Sequence, residues 1–335
     1  MPTVAEPFVA LVVDKSPDGE VSAKVSDLTL ADLPAGEVVI EVEYASFNYK
    51  DALACQGHPG VVRSLPHVPG IDCAGTVAAS DSDDWNVGDS VLVTGYGLGA
   101  EQWGGYSQYV RVPADWVVAM PEGLDARRAM AIGTAGFTAA QSVSAIVERN
   151  ILPDKGPVVV TGATGGVGMW SVAILAKLGY EVTAVSGKSE QAALLRQLGA
   201  AEVVGRDAVN DSSDRPLLKS KWAAAVDTVG GVPLATILRS TLHRGCVTAC
   251  GLVAGADLPL TVHPFILRGV TLAGIDSAKC PRAMRLEMWK HLSTDWKVDL
   301  PEECLTEITL SEVSDRVQQI MAGKVVGRTL VLPKK

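Results

Sequence analysis

Hydrophobic and polar residues alternate along the first third of the chain, which is typical of strands with one buried face. In VVIEVEY, residues 38–44, Ile40 and Val42 fall on one side and Glu41 and Glu43 on the other. Similar short segments follow, GTVAAS, DSVLVTGYG and YSQYVRVP, separated by turns rich in Gly, Pro and Asp. This pattern predicts an antiparallel, barrel-like β domain.

From about Gly133 the pattern changes to six short apolar segments: VVVTGATGGVGMW, EVTAVSG, AEVVG, WAAAVDTVGG, GCVTACGL and VTLAGIDS. Helical stretches, MWSVAILAKLG and EQAALLRQLG, separate the early ones, as in a doubly wound parallel sheet. After a predicted helix RAMRLEMWKHL, the tail contains a strand ECLTEITL, a helix SEVSDRVQQIMAG and a strand GRTLVLP. We expect this tail to complete the first domain.

The fold class is therefore α/β, with two domains. A chain of 335 residues exceeds the size at which one hydrophobic core keeps growing. We predict a mainly-β domain formed by residues 1–128 and 280–335, which is discontinuous in sequence, and a dinucleotide-binding domain at residues 129–279.

Composition narrows the classes of partner. Lys and Arg number 29 against 38 Asp and Glu, a net charge of -9, which argues against nucleic acid. The N-terminal text has no basic segment followed by a long apolar run, and no uninterrupted apolar run approaches a membrane span. Six cysteines are scattered without a CxxC pair, as expected for reduced thiols. We expect a cytoplasmic protein that binds neither nucleic acid nor membrane.

The segment VVVTGATGGVGMW joins a buried strand to an amphipathic helix through glycines at positions 162, 165, 166 and 168. Such glycines let the backbone approach a pyrophosphate, and the following helix N-terminus offers unpaired N–H groups. The spacing is GxxGxxG rather than GxGxxG, so a merely tight turn is the alternative. The surrounding strands and helix favour dinucleotide binding.

The next strand ends in Ser186-Gly187-Lys188, where NAD sites place an acid on the ribose 2′-hydroxyl. A cation there suits the 2′-phosphate of NADP, and Arg206 after the following strand can reach the same phosphate. The sequence therefore predicts NADPH as the cofactor. In the alternative, Lys188 is a solvated residue at the start of the next helix, with Ser189 as its N-cap.

These segments, with FNYKDAL, PHVPGIDCAGTV, GTAGFTAA, ACGLVAG, PFILRGVTLAGIDS and GRTLV, resemble the medium-chain dehydrogenase/reductase superfamily over essentially the whole chain. The combination is similar to its YhdH-type branch of acryloyl-CoA reductases, often labelled quinone oxidoreductases. The resemblance implies a GroES-like catalytic domain, an NADPH-binding Rossmann domain with a six-stranded parallel sheet, and a homodimer. It also implies a small-molecule substrate, a CoA thioester.

Zinc dehydrogenases of that superfamily carry a Gly-His-Glu segment and a four-cysteine lobe. Here the text is PGIDCAG, with Asp72 at the glutamate position, and residues 80–118 hold no cysteine. Catalytic zinc needs three protein ligands, which the isolated His67 and Cys73 do not supply. We predict no metal and a structural role for His67.

Without a metal, reduction of an activated alkene is feasible, because hydride addition to an enoyl thioester places charge on the thioester oxygen as an enolate. Asn48 could donate to that oxygen, Tyr49 could contact the cofactor or supply a proton, and Asp51 could orient either. The alternative makes Asn48 a helix N-cap, Asp51 a residue near N3 and Tyr49 a packed aromatic. We predict all three as catalytic.

The resemblance also implies the cofactor contacts. Thr164, Gly165, Gly166 and Val167 would contact the pyrophosphate; Ser186, Gly187, Lys188 and Arg206 would contact the 2′-phosphate; Tyr49, Leu252, Ile266, Ser277 and Gly323 would lie near the nicotinamide. Leu252 and Ile266 could instead belong to the core. Arg328 could bind a thioester carbonyl or a CoA phosphate, or be an exposed arginine at a strand start.

The sequence favours zinc-independent, NADPH-dependent reduction of a 2-enoyl thioester, and the resemblance implies that acryloyl-CoA is the substrate and propionyl-CoA the product. An NADPH:quinone oxidoreductase is the alternative within catalysis. A non-catalytic NADPH-binding protein is the alternative outside it.

Overall fold

The structure, a computed structural model, describes residues 6–334. It divides into two compact units. Unit 1 comprises the chain up to Thr134, then Ala278–Leu286 and the chain from Pro301 onward; unit 2 comprises Ala135–Ser277 and Glu287–Leu300. Residues 1–5 and 335 of the predicted first domain lie outside the described residues.

The first part of unit 1 contains seven strands and one short helix: β1 Phe8–Lys15, β2 Val21–Leu28, β3 Val38–Phe47, α1 Tyr49–Cys55, β4 Asp72–Ser80, β5 Ser90–Thr94, β6 Tyr109–Val112 and β7 Val118–Ala119. β1 and β2 form a separate antiparallel pair. The alternation seen in VVIEVEY is that of β3, in which Ile40 and Val42 are fully buried.

The next element, α2 (Ala126–Val147), is broken at Gly133, which has a non-helical backbone. By length and composition α2 could cross a membrane, with a mean hydropathy of 1.3 over 18 residues. However, 78% of that window is buried inside the protein, as in the core helix of a soluble protein. The helix is therefore weak evidence for a membrane span.

Unit 2 contains the elements of the predicted parallel sheet: β8 Val158–Val160, α3 Gly166–Lys177, β9 Val182–Val185, α4 Ala192–Gln197, β10 Glu202–Val204, β11 Trp222–Asp227, α5 Gly231–Ser240, β12 Thr241–Ala249, α6 His263–Arg268 and β13 Thr271–Gly274. The strand order is β10-β9-β8-β11-β12-β13, and every pairing is parallel. The order reverses beside β8, the doubly wound arrangement that binds dinucleotides. The predicted six-stranded sheet is confirmed.

The chain ends with α7 (Arg282–Ser293), β14 (Leu305–Thr309), α8 (Val313–Met321) and β15 (Arg328–Leu332). β15 pairs antiparallel with β3, so the tail completes the sheet of the first unit. That sheet has the order β14-β15-β3-β4-β5-β7, with β6 also paired to β3. β14 and β15 are parallel to each other, which is an exception to the expected antiparallel arrangement.

The division between the units falls inside α7. In unit 1, Arg285 is fully buried, donates to the Thr94 carbonyl oxygen at 2.6 Å and lies over the ring of Tyr96. In unit 2, Trp289 stacks on Phe137 with ring centroids 6.1 Å apart. The predicted boundary placed residues 287–300 with the first domain, whereas these contacts hold them in unit 2.

Candidate active site

Strand pairing in unit 1 gathers a group of buried polar residues. β3 pairs Ala45 with Cys73 of β4 and Phe47 with Thr329 of β15, so the end of β3 meets the starts of both strands. Polar side chains follow or precede each pair: Ser46, Asn48, Asp72 and Arg328. With Asp51 of α1 and Thr134 of α2 they form what we call the buried polar network.

Asp72 is the central acceptor of the buried polar network and is fully buried. Its carboxylate accepts hydrogen bonds from the Ser46 hydroxyl, from Asn48 Nδ2 at 2.9 Å and from Thr134 at 2.8 Å from N and 2.5 Å from Oγ1. Donors on two hydroxyls, an amide and a backbone N–H stabilise a buried carboxylate.

Asp51 is also fully buried but has a different set of partners. Its Oδ1 accepts the Ile71 N–H at 2.8 Å, and its Oδ2 accepts the backbone N–H and Nδ2 of Asn48 at 2.8 and 3.2 Å. Burial, and secondarily the charge of Asp72, raises the pKa of Asp51 to about 7. Asp51 can therefore hold or release a proton near neutral pH.

Arg328 enters the network from the start of β15 and is only 3% exposed. Its Nε donates to the Ala131 carbonyl oxygen at 3.0 Å, and its Nη1 donates to Asn48 Oδ1 at 3.1 Å and the Phe47 carbonyl oxygen at 3.4 Å. The alternative of an exposed arginine is wrong. The guanidinium contacts Asn48, and a contact between Arg328 and substrate stays a prediction.

Asn48 is the N-cap of α1, and Asp51 at N3 accepts its backbone N–H, as the capping alternative expected. Asn48 is partly exposed. Its two Nδ2 hydrogens face Asp72 and Asp51, so donation to an enolate requires one of these bonds to open. Tyr49, by contrast, is 41% exposed and is not a packed core aromatic.

Gly133 explains why α2 is broken beside the network. It has a φ of 49° and a ψ of -159°, a conformation that only glycine adopts readily. A Cβ on Gly133 would lie 2.6 Å from Ser46 Oγ, and 2.8 Å from both Arg328 Nη2 and Asp72 Oδ2. The backbone must therefore approach the polar groups without a side chain.

Sequence reasoning missed three members of this network, Ser46, Asp72 and Thr134, and the role of Gly133 beside it. Asp72 was noticed only as a departure from the zinc enzymes. The available signal was a polar residue inside otherwise apolar text, at Asp72 in PGIDCAG and at Thr134 in IGTAG. That signal indicates burial with a partner but does not identify the partner.

In unit 2, the predicted phosphate loop follows β8 and is braced by side chains. Thr161 Oγ1 donates to Asp227 Oδ1 at 2.8 Å, and Thr228 donates to Thr161 through both its N–H and its hydroxyl. Gly165 is the N-cap of α3, and its N–H donates to the Gly162 carbonyl oxygen at 2.9 Å. Gly165 is exposed, Gly166 and Val167 are half-buried and Thr164 is 7% exposed.

The predicted 2′-phosphate residues lie together in unit 2. An added Cβ on Gly187 would lie 2.5 Å from Arg206 Nε, so this guanidinium rests on the Gly187 backbone. The pKa of Lys188 is lowered, first by partial burial and also by the charge of Arg206. Within the described residues Arg206 makes no ion pair, so these neighbouring cations fit a phosphate.

The alternative for Lys188 placed it at the start of a helix with Ser189 as N-cap. Instead, residues Ser189–Gln191 form a short 3₁₀ turn, and α4 begins only at Ala192. The Lys188 N–H donates to the Ser186 hydroxyl at 3.0 Å, so Ser186 shapes the turn.

The remaining predicted cofactor residues are accessible to different degrees. In unit 2, Leu252 is 64% and Ile266 is 70% exposed, and Ser277 is half-buried. The alternative that Leu252 and Ile266 are core residues is therefore wrong. In unit 1, Gly323 is exposed, two residues beyond the end of α8.

Two protein families match this chain, one within each of the two units for most of its length. Residues 34–122 match the Alcohol dehydrogenase GroES-like domain, and residues 166–294 match the Zinc-binding dehydrogenase family. Acrylyl-CoA reductase AcuI of Ruegeria pomeroyi is 50% identical over 325 residues, 97% of this chain and 98% of that relative.

Two solved structures are also similar over nearly the whole chain. The yhdH oxidoreductase of Salmonella enterica in complex with NADP has a TM-score of 0.92 and 47% identity, covering 97% of this chain and 99% of that one. Protein yhfP of Bacillus subtilis with NAD bound has a TM-score of 0.94 and 43% identity, covering 98% and 100%.

The GroES-like unit, the doubly wound unit and these similarities define a medium-chain dehydrogenase/reductase. Within that superfamily the chain belongs to the YhdH-type branch, together with AcuI. The predicted family and fold class are confirmed.

One matching family is named for zinc, which requires three protein ligands from His, Cys or carboxylate side chains. Within residues 6–334, no group of three or more His, Cys, Asp or Glu side chains could hold a metal ion. The Asp72 carboxylate is occupied by hydrogen bonds, and burial raises the pKa of the Cys73 thiol well above its usual range. His67 is 3% exposed, and burial lowers its pKa. These side chains do not fit a catalytic zinc site.

We expect Asp51→Asn to change the pH dependence of stability. Because the pKa of Asp51 rises from 3.8 to about 7 on folding, its stabilising contribution is full below about pH 4 and is lost as the pH approaches 7. As the pH rises, the free energy of unfolding of the wild type should fall relative to that of the variant by up to about 1.4 kcal/mol per pH unit, the limit for one proton. Calorimetric unfolding between pH 5 and 8 measures this difference.

Asp83→Asn, which changes an exposed carboxyl, is the matched control. Its curve of unfolding free energy against pH should run parallel to that of the wild type. An Asp51→Asn curve that also parallels the wild type would contradict the shifted pKa.

Gly133→Ala should destabilise the protein by about 2–4 kcal/mol, because the new Cβ meets three polar groups and the backbone is strained. Gly274→Ala is the control, since a Cβ there meets nothing within 4 Å. Urea unfolding compares the variants. Equal stability of the two would show that the backbone at residue 133 relaxes without cost.

Lys188→Ala combined with Arg206→Ala should raise the Kd for NADPH by about 10- to 100-fold and leave that for NADH nearly unchanged, because two charge-assisted contacts are lost. Fluorescence titration measures both constants. Arg196→Ala, which removes an exposed arginine on α4, is the control. An equal loss of affinity for NADPH and NADH would exclude a role of Lys188 and Arg206 at the 2′-phosphate.

Proposed function

We propose that the protein reduces the carbon–carbon double bond of a 2-enoyl thioester with NADPH, acryloyl-CoA being the substrate. The observation that carries this proposal is the 50% identity with Acrylyl-CoA reductase AcuI over 97% of the chain. The neighbouring cations Lys188 and Arg206 of unit 2 and the raised pKa of Asp51 in unit 1 are consistent with it.

NADPH, when bound, supplies the hydride. Residues of unit 2 would hold it: Thr164, Gly165, Gly166 and Val167 at the pyrophosphate, and Ser186, Gly187, Lys188 and Arg206 at the 2′-phosphate. The yhdH structure contains NADP, whereas the yhfP structure contains NAD. In this chain two adjacent cations favour the coenzyme with the additional phosphate.

After hydride addition, the enolate needs an oxyanion partner and the α-carbon needs a proton. Asn48 is the partly exposed amide of the buried polar network, and Tyr49 presents an accessible phenol. Asp51 holds a proton at a buried carboxyl near neutral pH. We assign orientation and oxyanion contact to Asn48, cofactor or substrate contact to Tyr49, and proton storage to Asp51.

The assignment requires no metal, and we propose a zinc-independent reaction. The lack of a fitting ligand set among the described side chains supports this proposal. From the family resemblance and the acidic composition we further propose a cytoplasmic homodimer that binds neither nucleic acid nor membrane.

Reduction of a quinone by NADPH is the second candidate. It is favoured by YhfP of Bacillus subtilis, which is 44% identical over 97% of this chain and whose name gives it an unconfirmed quinone oxidoreductase activity. A quinone requires a flat apolar surface but no partner for a thioester oxygen. The polar Asn48 and Asp51 favour the thioester.

Initial rates of coenzyme oxidation with acryloyl-CoA, crotonyl-CoA and benzoquinone test the proposal. With NADPH we expect kcat/KM for acryloyl-CoA to exceed that for benzoquinone by at least about 100-fold, and EDTA to leave it unchanged. Activity with benzoquinone alone would select the second candidate. NADPH binding without turnover of any substrate would select a non-catalytic protein.

A further inference from the structure

We propose that Arg328 is a positioning residue that fixes the orientation of the Asn48 side-chain amide and supplies the counter-charge for Asp51 and Asp72. This inference rests on the proposed function, because it concerns the residues assigned there to the oxyanion and the proton. It replaces the direct contact between Arg328 and substrate that the sequence suggested.

The orientation of Asn48 follows from the charges on either side of it. Its Oδ1 accepts from Arg328 Nη1 at 3.1 Å, while its Nδ2 donates to Asp72 at 2.9 Å and Asp51 at 3.2 Å. A flipped amide would place N–H groups against the guanidinium and an oxygen against the carboxylates. The guanidinium and the carboxylates therefore each make the flip unfavourable.

The counter-charge follows from the ionisable groups around Asp51. Asp51 and Arg328 share Asn48 as a partner, since Asn48 Nδ2 donates to Asp51 at 3.2 Å and Asn48 Oδ1 accepts from Arg328 Nη1 at 3.1 Å. The other ionisable groups near Asp51 are Asp72 on β4, the Tyr106 phenol and the Cys55 thiol. Arg285 additionally lies near Asp72. Arg328 is the cation among these that also contacts Asn48, so its removal should raise the affinity of Asp51 for a proton.

Burial decides between contact with substrate and action through Asn48. Arg328 is 3% exposed, and its Nε is fixed on the Ala131 carbonyl oxygen. Its Nη2 is buried without a hydrogen-bond partner among the described residues and would lie 2.8 Å from a Cβ placed on Gly133. An unpaired buried N–H group is destabilising, so the arginine is better explained by its charge than by its contribution to stability.

Arg328→Met and Arg328→Lys test the role, with Arg316→Met as the matched control. Arg316 is half-buried, and its Nη2 and Nε donate to the hydroxyl of Thr329, the residue after Arg328, at 2.6 and 2.8 Å. It makes no hydrogen bond to the residues of the buried polar network. Circular dichroism confirms folding of each variant. The readouts are kcat and KM with acryloyl-CoA between pH 5.5 and 9, and Kd for NADPH.

Arg328→Met should lower kcat by at least about 100-fold, leave Kd for NADPH within about twofold, and move the pH midpoint of kcat upward by about one unit. Arg328→Lys keeps the charge without the planar fork, so it should retain the wild-type midpoint with an intermediate kcat. A wild-type kcat and pH profile in Arg328→Met would overturn the proposal. So would a loss of kcat in Arg316→Met that matches it.

A second readout needs no turnover. ¹³C NMR of protein labelled at the Asp carboxyl carbons follows the titration of Asp51, with Asp51→Asn providing the assignment. Arg328→Met should move that titration upward, and Arg316→Met should not. A shifted titration in a protein that fails to reduce acryloyl-CoA would retain the positioning role and reject the proposed substrate.

An unshifted titration in an active enzyme would reject the positioning role alone. Should Arg328→Met fail to fold, Arg328→Lys decides: a lower kcat at an unchanged pH midpoint supports the role, and a wild-type kcat overturns it.

Discussion

The burial of two carboxyls and a guanidinium in one region is the constraint on which unit 1 depends. Removing each ion from water costs several kcal/mol, and attraction offsets this only with nearly complete hydrogen bonding. Asp72 meets the condition through donors on Ser46, Asn48 and Thr134. Asp51 meets it by favouring the protonated form. The residues that surround these charged groups must therefore be polar where they donate hydrogen bonds, and small where the backbone approaches, as at Gly133.

The charges of the predicted 2′-phosphate residues in unit 2 are accessible to solvent, unlike those of the buried polar network. Arg206 is exposed and Lys188 half-buried, so water screens most of their mutual repulsion. Like charges near the surface are tolerated at little cost, and in the proposed role they would bind a phosphate without a large penalty for removing it from water. The proposed 2′-phosphate site thus relies on accessible charge, whereas the buried polar network of unit 1 relies on compensated buried charge.

Much of the fold could be predicted because its signals are local. Apolar runs such as VVVTG predicted the strands of the parallel sheet, and Ser186 and Lys188 indicated the end of β9. The buried polar network was not predictable in the same way. Arg328 and Asn48 are 280 positions apart, and no local pattern shows that β15 pairs with β3. Residues 287–300 were misplaced because packing of Trp289 on Phe137, not composition, decides their unit.

The position of β15 at the end of the chain sets an order for assembly during synthesis. All segments of unit 2 are translated before β14 and β15, so unit 2 can fold while the first sheet still lacks two strands. Until Arg328 leaves the ribosome, Asn48 lacks the guanidinium that its side-chain oxygen later accepts from, and the edge of β3 that β15 later covers stays unpaired. A chain that stops before β15 would therefore contain every segment of unit 2 but would lack the strand and the arginine that complete the buried polar network.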